Sequence, residues 1–227
     1  MAAQTEKADY SLDDLQEAAA EIADLIREGT LFNRDPWRAK GMGDFEGLGQ
    51  AGSPGLVKSL CLNVAHDCNL SCAYCFAARG NFGGDCKLMP LDIGKAALDF
   101  LVKHSGNRQH LEVDFFGGEP LLNISVVKEI VAYGRQLEAK AGKQIQFTLT
   151  TNAVLLDQEI QEYLNQEQIS VVLSLDGRPR VHDQMRVFAD GSGSYAEVLP
   201  PVKAMAQSRQ QQNYYVRGTY TRANLDF

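Results

Sequence analysis

From Leu56 onward, apolar and polar positions follow a regular pattern. Apolar runs of strand length occupy 57–65, 111–116, 144–150, 169–175 and 213–220. Between them, apolar residues recur at helical spacing over about 91–104, 124–141, 156–165 and 195–208. Strands alternating with helices predict an α/β fold of βα units on a parallel sheet. Right-handed crossovers taken in sequence curve such a sheet into a barrel or part of one. The first 55 residues differ. Residues 1–9 read as a disordered start. Ser11, with Asp14 three places on, caps a helix over 12–28 whose apolar face carries Leu12, Leu15, Ala19, Ile22, Leu25 and Ile26, and Gly29 ends it. It is either a helix packed on the domain edge or the last helix of a larger peptide-binding module. Residues 33–55 hold six glycines and two prolines and read as a linker or cover loop, with Trp37 as its anchor. The division expected is 1–55, helix and linker, and 56–227, the α/β core.

Sites in such sheets lie at the C-terminal ends of the strands. Polar and glycine-rich motifs do follow the strands here. After the second run comes Gly117-Gly118-Glu119-Pro120, where two glycines let backbone approach a ligand, Glu119 offers an acceptor and Pro120 stiffens the exit. After the third comes Thr150-Thr151-Asn152. After the fourth comes Ser174-Leu175-Asp176-Gly177, then Asp183 and Arg186, and the fifth contains Arg217. Each tail alone is an ordinary turn or helix cap. Four on one rim point to a site.

After the first run comes Cys68-x3-Cys72-x2-Cys75. Iron–sulfur clusters are held by thiolates, and a four-iron cubane normally takes four. Three thiolates leave one iron open, as catalytic metal sites keep an open position. A zinc site, with His66 as a fourth ligand, is the competing reading, although His-x-Cys-x3-Cys-x2-Cys is not a usual zinc spacing. Three thiols without metal is the third. Cys61 lies inside the first strand and reads as a buried apolar thiol, and Cys86 as a free loop thiol. His104, His110 and His182 read as surface or structural residues. Five cysteines with three clustered do not form a secreted disulfide framework, so a reducing cytoplasm is expected. A net charge of −7 speaks against a nucleic-acid-gripping role, and no apolar stretch reaches the length of a membrane span.

The three-cysteine loop, with Tyr74 before its last Cys, paired with Gly-Gly-Glu-Pro after the second strand, resembles the radical S-adenosylmethionine (SAM) superfamily. Ala-His-Asp-Cys-Asn-Leu at 65–70, Glu-Val-Asp-Phe-Phe-Gly-Gly-Glu-Pro-Leu at 112–121, Thr-Leu-Thr-Thr-Asn at 148–152, Val-Leu-Ser-Leu-Asp-Gly at 172–177 and Tyr-Tyr-Val-Arg-Gly-Thr-Tyr-Thr at 214–221 are similar to the thioether-forming maturases of six-cysteines-in-forty-five-residues (SCIFF) precursor peptides. The resemblance covers roughly 10–227. It implies a partial TIM-like barrel with about five of the family's six βα units. No Cys follows Cys86, so the cysteine-rich SPASM domain that ends such maturases is not in this sequence, and the resemblance implies a fragment or truncated gene product.

The same resemblance implies a [4Fe–4S] cluster on Cys68, Cys72 and Cys75, with SAM on the open iron. It implies backbone of Gly117, Gly118 and Glu119 around the methionyl ammonium, Arg186 or Arg217 on the methionyl carboxylate, Asn152 and Ser174 placing SAM or its ribose, and Tyr74 beside the adenine. It further implies a Cys-rich precursor peptide as substrate and a reduced flavodoxin- or ferredoxin-type electron donor. The alternatives are a maturase of the anaerobic sulfatase type that oxidises a peptidyl Cys or Ser, a non-catalytic electron-carrier module, and an inactive peptide-binding relic.

Overall fold

The computed structural model describes residues 12–27, 56–210 and 212–222. The chain divides after Gly55 into two units. In the first, α1 spans Leu12–Arg27. Residues 1–9, Ser11, Gly29, the stretch 33–55 and Trp37 lie outside the described residues.

The second unit runs β1 Ser59–Ala65, α2 Leu91–His104, β2 His110–Gly117, α3 Ile124–Ala141, β3 Gln144–Thr151, α4 Gln158–Gln166, β4 Ser170–Ser174, α5 Pro179–Met185, α6 Tyr195–Ser208 and β5 Tyr214–Arg217. All four strand pairings are parallel, in the sequential order β1-β2-β3-β4-β5. No pairing among the described residues returns β5 to β1, so the sheet is part of a barrel. The expected α/β fold is present. Only α5, seven residues begun by Pro179 between two polar loops, has no counterpart in the hydrophobic pattern, because so short a helix completes too few turns to show a period.

Alternation along the strands decides which face meets the helices. Leu111, Val113 and Phe115 of β2, and Ile145, Phe147 and Leu149 of β3, are buried, while Asp114, Phe116, Thr148 and Thr150 between them are only half-buried. The buried set forms the core with Leu98 and Leu101 of α2, Val127, Ile130 and Val131 of α3, and Val198, Val202 and Met205 of α6. Phe115 stacks on Phe147 at 5.6 Å between ring centres. Each such ring contributes roughly 2–3 kcal/mol through burial alone. Cys61 departs from expectation. It is exposed, because its register opposite Asp114 puts it on the face that the helices do not cover.

Candidate cofactor cleft

The C-terminal ends of all five strands open onto one cleft of about 780 Å³ of free space, part of it open to solvent. The cysteine loop supplies Cys68, Cys72, Tyr74 and Cys75. The end of β2 and the turn after it supply Gly117 and Gly118, Asn152 follows β3, β4 ends in Ser174, the segment after α5 brings Arg186, and β5 brings Arg217. Ten of the twelve residues singled out in the sequence therefore line a single cavity. Glu119 and Pro120 do not. Both are buried behind the turn.

The cysteine loop is held on two sides by backbone. On one side Gly118 N–H donates to Ala65 O at 2.8 Å and Glu119 N–H to Asp67 O at 2.9 Å. The Asp67 carboxylate accepts from Cys68 N–H at 2.8 Å. On the other side Ser71 N–H donates to Val187 O at 2.7 Å and Ala73 N–H to Met185 O at 2.8 Å, which places Cys72 beside Arg186. The Glu119 carboxylate, wholly out of solvent, accepts from Leu121 N–H, the Thr151 hydroxyl and Asn152 N–H at 3.0, 2.8 and 2.8 Å. It thus ties the Gly-Gly turn to the end of β3. Burial raises its pKa, and the three donors oppose that rise.

A second network anchors Tyr74 and Arg186. The Tyr74 hydroxyl donates to Asp176 Oδ2 at 2.6 Å and accepts from Arg186 Nη1 at 2.8 Å. Asp176, fully buried, also accepts from Thr219 N–H at 3.0 Å, so one carboxylate joins the cysteine loop, the exit of β4 and the chain after β5. Asp176 N–H donates to His182 Nδ1 at 3.3 Å, which leaves the His182 proton on Nε2, facing Ser194 Oγ at 2.9 Å, and that hydroxyl donates to Arg186 O at 2.7 Å.

His182 works as a neutral acceptor, and burial with the nearby Arg186 cation holds its pKa below the ordinary 6.5. The folded state therefore binds fewer protons than the unfolded one just below that value. Stability is full above it and falls as the pH drops through it. A melting temperature that is flat from pH 8 to 7 and drops between pH 6.5 and 5.5 is expected in scanning fluorimetry. His182→Asn should remove that part of the drop while costing about 1–2 kcal/mol at pH 8.

The three cysteines sit half-buried along the mouth of the cleft, and neither Cys61 nor Cys86 lines it. Leu70 N–H at 3.4 Å and Asn152 Nδ2 at 3.7 Å aim at Cys68 Sγ, contacts suited to a thiolate. Burial pushes the Cys68 thiol up to about 12 and raises the Cys72 thiol as well, while Arg186 pulls the latter back. A metal that replaces those protons relieves the cost. Among the described residues no three His, Cys, Asp or Glu side chains are gathered tightly enough for one ion. Sulfurs on a single zinc lie about 3.8 Å apart, given bonds of about 2.3 Å. A cubane takes each thiolate on a different iron, over a wider span. Three soft donors spread along one mouth fit a [4Fe–4S] cluster with one open iron.

Some placements add to the expectations. The Asn152 amide braces the cysteine loop, donating to Asn69 Oδ1 at 2.7 Å. Phe76, stacked over Phe116 at 6.5 Å, forms an aromatic wall of the cleft, and Ala77, Gly80, Thr150, Thr151 and Thr219 complete its lining. Gly80, at φ +96°, packs so closely on the turn that a Cβ there would lie 2.5 Å from Gly118 Cα. Nothing in the sequence separates Gly80 from neighbouring Gly83 and Gly84. Arg186 is 7% exposed, and its buried Nε has no hydrogen-bond partner.

Among known proteins, the family described as 4Fe-4S single cluster domain matches residues 52–199. The radical SAM cyclopropyl synthase TigE of Paramaledivibacter caminithermalis is 25% identical over 70% of this chain and 34% of its own length. A cysteine-type anaerobic sulfatase-maturating enzyme of Clostridium novyi is 25% identical over 69% of this chain and 43% of its own. The chain thus spans between a third and a half of the length of these relatives. The solved structure of native anSMEcpe with bound AdoMet and Cp18Cys peptide shares the fold, with a TM-score of 0.61 and 21% identity over 71% of this chain and 42% of that one. No helix among the described residues is long and apolar enough to cross a membrane.

Proposed function

Since the chain belongs to the 4Fe–4S single cluster domain family and, with it, to the radical SAM superfamily, we propose that it is the SAM-cleaving core of an enzyme that modifies a peptide. One observation carries the reading: the three cysteines, the Gly117–Gly118 turn and Arg186 share a single cleft at the ends of five parallel strands. The chemistry such a cluster supplies when bound is one electron to the SAM sulfonium, which splits the S–C5′ bond into methionine and a 5′-deoxyadenosyl radical. The protein's own part is to bind and orient. Gly117 and Gly118 present backbone to the methionyl ammonium, with Glu119 and Pro120 fixing the turn from behind. Arg186 suits the methionyl carboxylate better than Arg217 does, since it lines the cleft beside Cys72 and its guanidinium is held in place there by Nη1 on the Tyr74 hydroxyl. Ser174 would steady the ribose side, Asn152 would act there through the cysteine loop that its amide braces, and the Tyr74 ring would stand beside the adenine.

The finer reading is thioether formation on a Cys-rich precursor peptide, which rests on the sequence motifs. Oxidation of a peptidyl Cys or Ser is the second reading, favoured by the likeness to a sulfatase-maturating enzyme. Both need a low-potential donor of flavodoxin or ferredoxin type and a reducing compartment such as the cytoplasm.

The test is anaerobic. The chain, reconstituted with iron and sulfide, is given SAM and dithionite, and 5′-deoxyadenosine is measured by mass spectrometry. Formation that drops to background in Cys72→Ala is the expected result. A well-formed cluster with no 5′-deoxyadenosine would sink the reaction. On a modified peptide, loss of two hydrogens together with a thiol that no longer alkylates marks a thioether; an aldehyde trapped by a hydrazide marks the second reading, whether it comes from Cys with loss of its sulfur or from Ser with loss of two hydrogens.

A further inference from the structure

Parallel sheets are usually covered on both faces. Among the described residues of the second unit helices cover one face, and the other carries Cys61, Asp114 and Thr148 side by side in register on β1, β2 and β3. Two residues further along the same strands, Phe116 and Thr150 line the cleft. The uncovered face is therefore continuous with the cleft, and Asp114 lies about 6.6 Å below its floor, at about 3.3 Å per residue.

Asp114 is the anomaly on this face. Its Oδ1 is out of solvent and has no hydrogen-bond partner, although a thiol and a hydroxyl flank it at the same level. Burial raises its pKa, and the Arg217 guanidinium, reaching in from the cleft, opposes the rise. A carboxylate oxygen kept from water without a donor costs stability. Residues that cost the fold something in this way cluster where a ligand supplies the missing partner. A carboxylate accepts only, so the partner is a donor.

We propose that Asp114 anchors the substrate by accepting a main-chain N–H of a peptide that lies along the inner face of the sheet, on Oδ2, the oxygen of this half-buried carboxylate that is not shut off from solvent. The polar, mostly uncharged neighbours Asn63, Thr148 and Ser170 suit an amide chain. An extended peptide advances about 3.3–3.6 Å per residue, so the anchored N–H belongs to a residue about two positions from the one that reacts in the cleft. This inference rests on the proposed reaction for its substrate class, but its test does not require that reaction.

The probe is the capped pentapeptide acetyl-Gly-Ala-Cys-Ala-Gly-amide, titrated by ligand-observed NMR into the full, cluster-reconstituted chain. Asp114→Asn should weaken binding about tenfold, the worth of a charge-assisted hydrogen bond. N-methylation of the probe two residues from Cys should weaken binding to the wild type and leave binding to Asp114→Asn unchanged. Glu112→Gln, one step further from the cleft on the same face, should bind like wild type. Asp114→Asn should also hold or raise the melting temperature, since a desolvated charge is gone; a purely structural carboxylate would give the opposite. Wild-type binding by Asp114→Asn, a lowered melting temperature, or no binding of the probe by the wild type at millimolar concentration would each overturn the anchor. A chain that binds through Asp114 yet makes no 5′-deoxyadenosine refutes the reaction alone. One that makes it while Asp114→Asn binds normally refutes the anchor alone.

Discussion

Gly118→Ala is expected to reduce 5′-deoxyadenosine formation by about a hundredfold or more, the scale set by misplacing a reacting group by about 1 Å. A Cβ at this position would stand 2.1 Å from Asp67 O and 2.8 Å from Gly80 Cα. Both neighbours are backbone, so neither can rotate away. Relief requires the turn to part from the cysteine loop, which breaks the Gly118 and Glu119 N–H bonds to Ala65 and Asp67. The two halves of the cleft then separate. Gly142→Ala is the control. Its φ of +63° makes alanine strained, but a Cβ meets nothing within 4 Å, and it closes α3 far from the cleft. It should cost about 1 kcal/mol of stability and leave turnover unchanged. Equal losses in the two variants would show that the close contact does not position the site.

Glu119→Ala is expected to cost about 3–5 kcal/mol, or roughly 10 °C in melting temperature, because three buried donors lose their acceptor together. Glu119→Gln should cost about half as much, since Gln keeps one oxygen and turns an NH₂ toward a donor. Scanning calorimetry separates the two. If Glu119→Ala melted within about 1 °C of wild type, the carboxylate would not be the tie between the turn and β3.

The strands were legible because a sheet covered by helices leaves long apolar runs with polar tails, and those tails are the site. Cys68, Cys72, Cys75 and the Gly-Gly turn could be read from spacing, since cluster ligation and close backbone approach each demand particular residues. Cys61 was misread for a physical reason: inside an apolar run, nothing local tells the helix-covered face from the open one, and only register with Asp114 decides. Asp176 lay in a recognised tail, yet its role depends on Tyr74, 102 positions away in sequence. Gly80 was hidden for the same reason, its partner Gly118 being distant in the chain. Glu119 reads in the sequence only as an acceptor, and the structure supplies the three donors that it holds.

The most direct test of the site is electron paramagnetic resonance on the reconstituted, dithionite-reduced chain before and after SAM is added. About four irons per chain and a spectrum shifted by SAM are expected, with both lost in Cys72→Ala. A fully formed cluster whose spectrum ignores SAM would contradict an open iron facing the cleft.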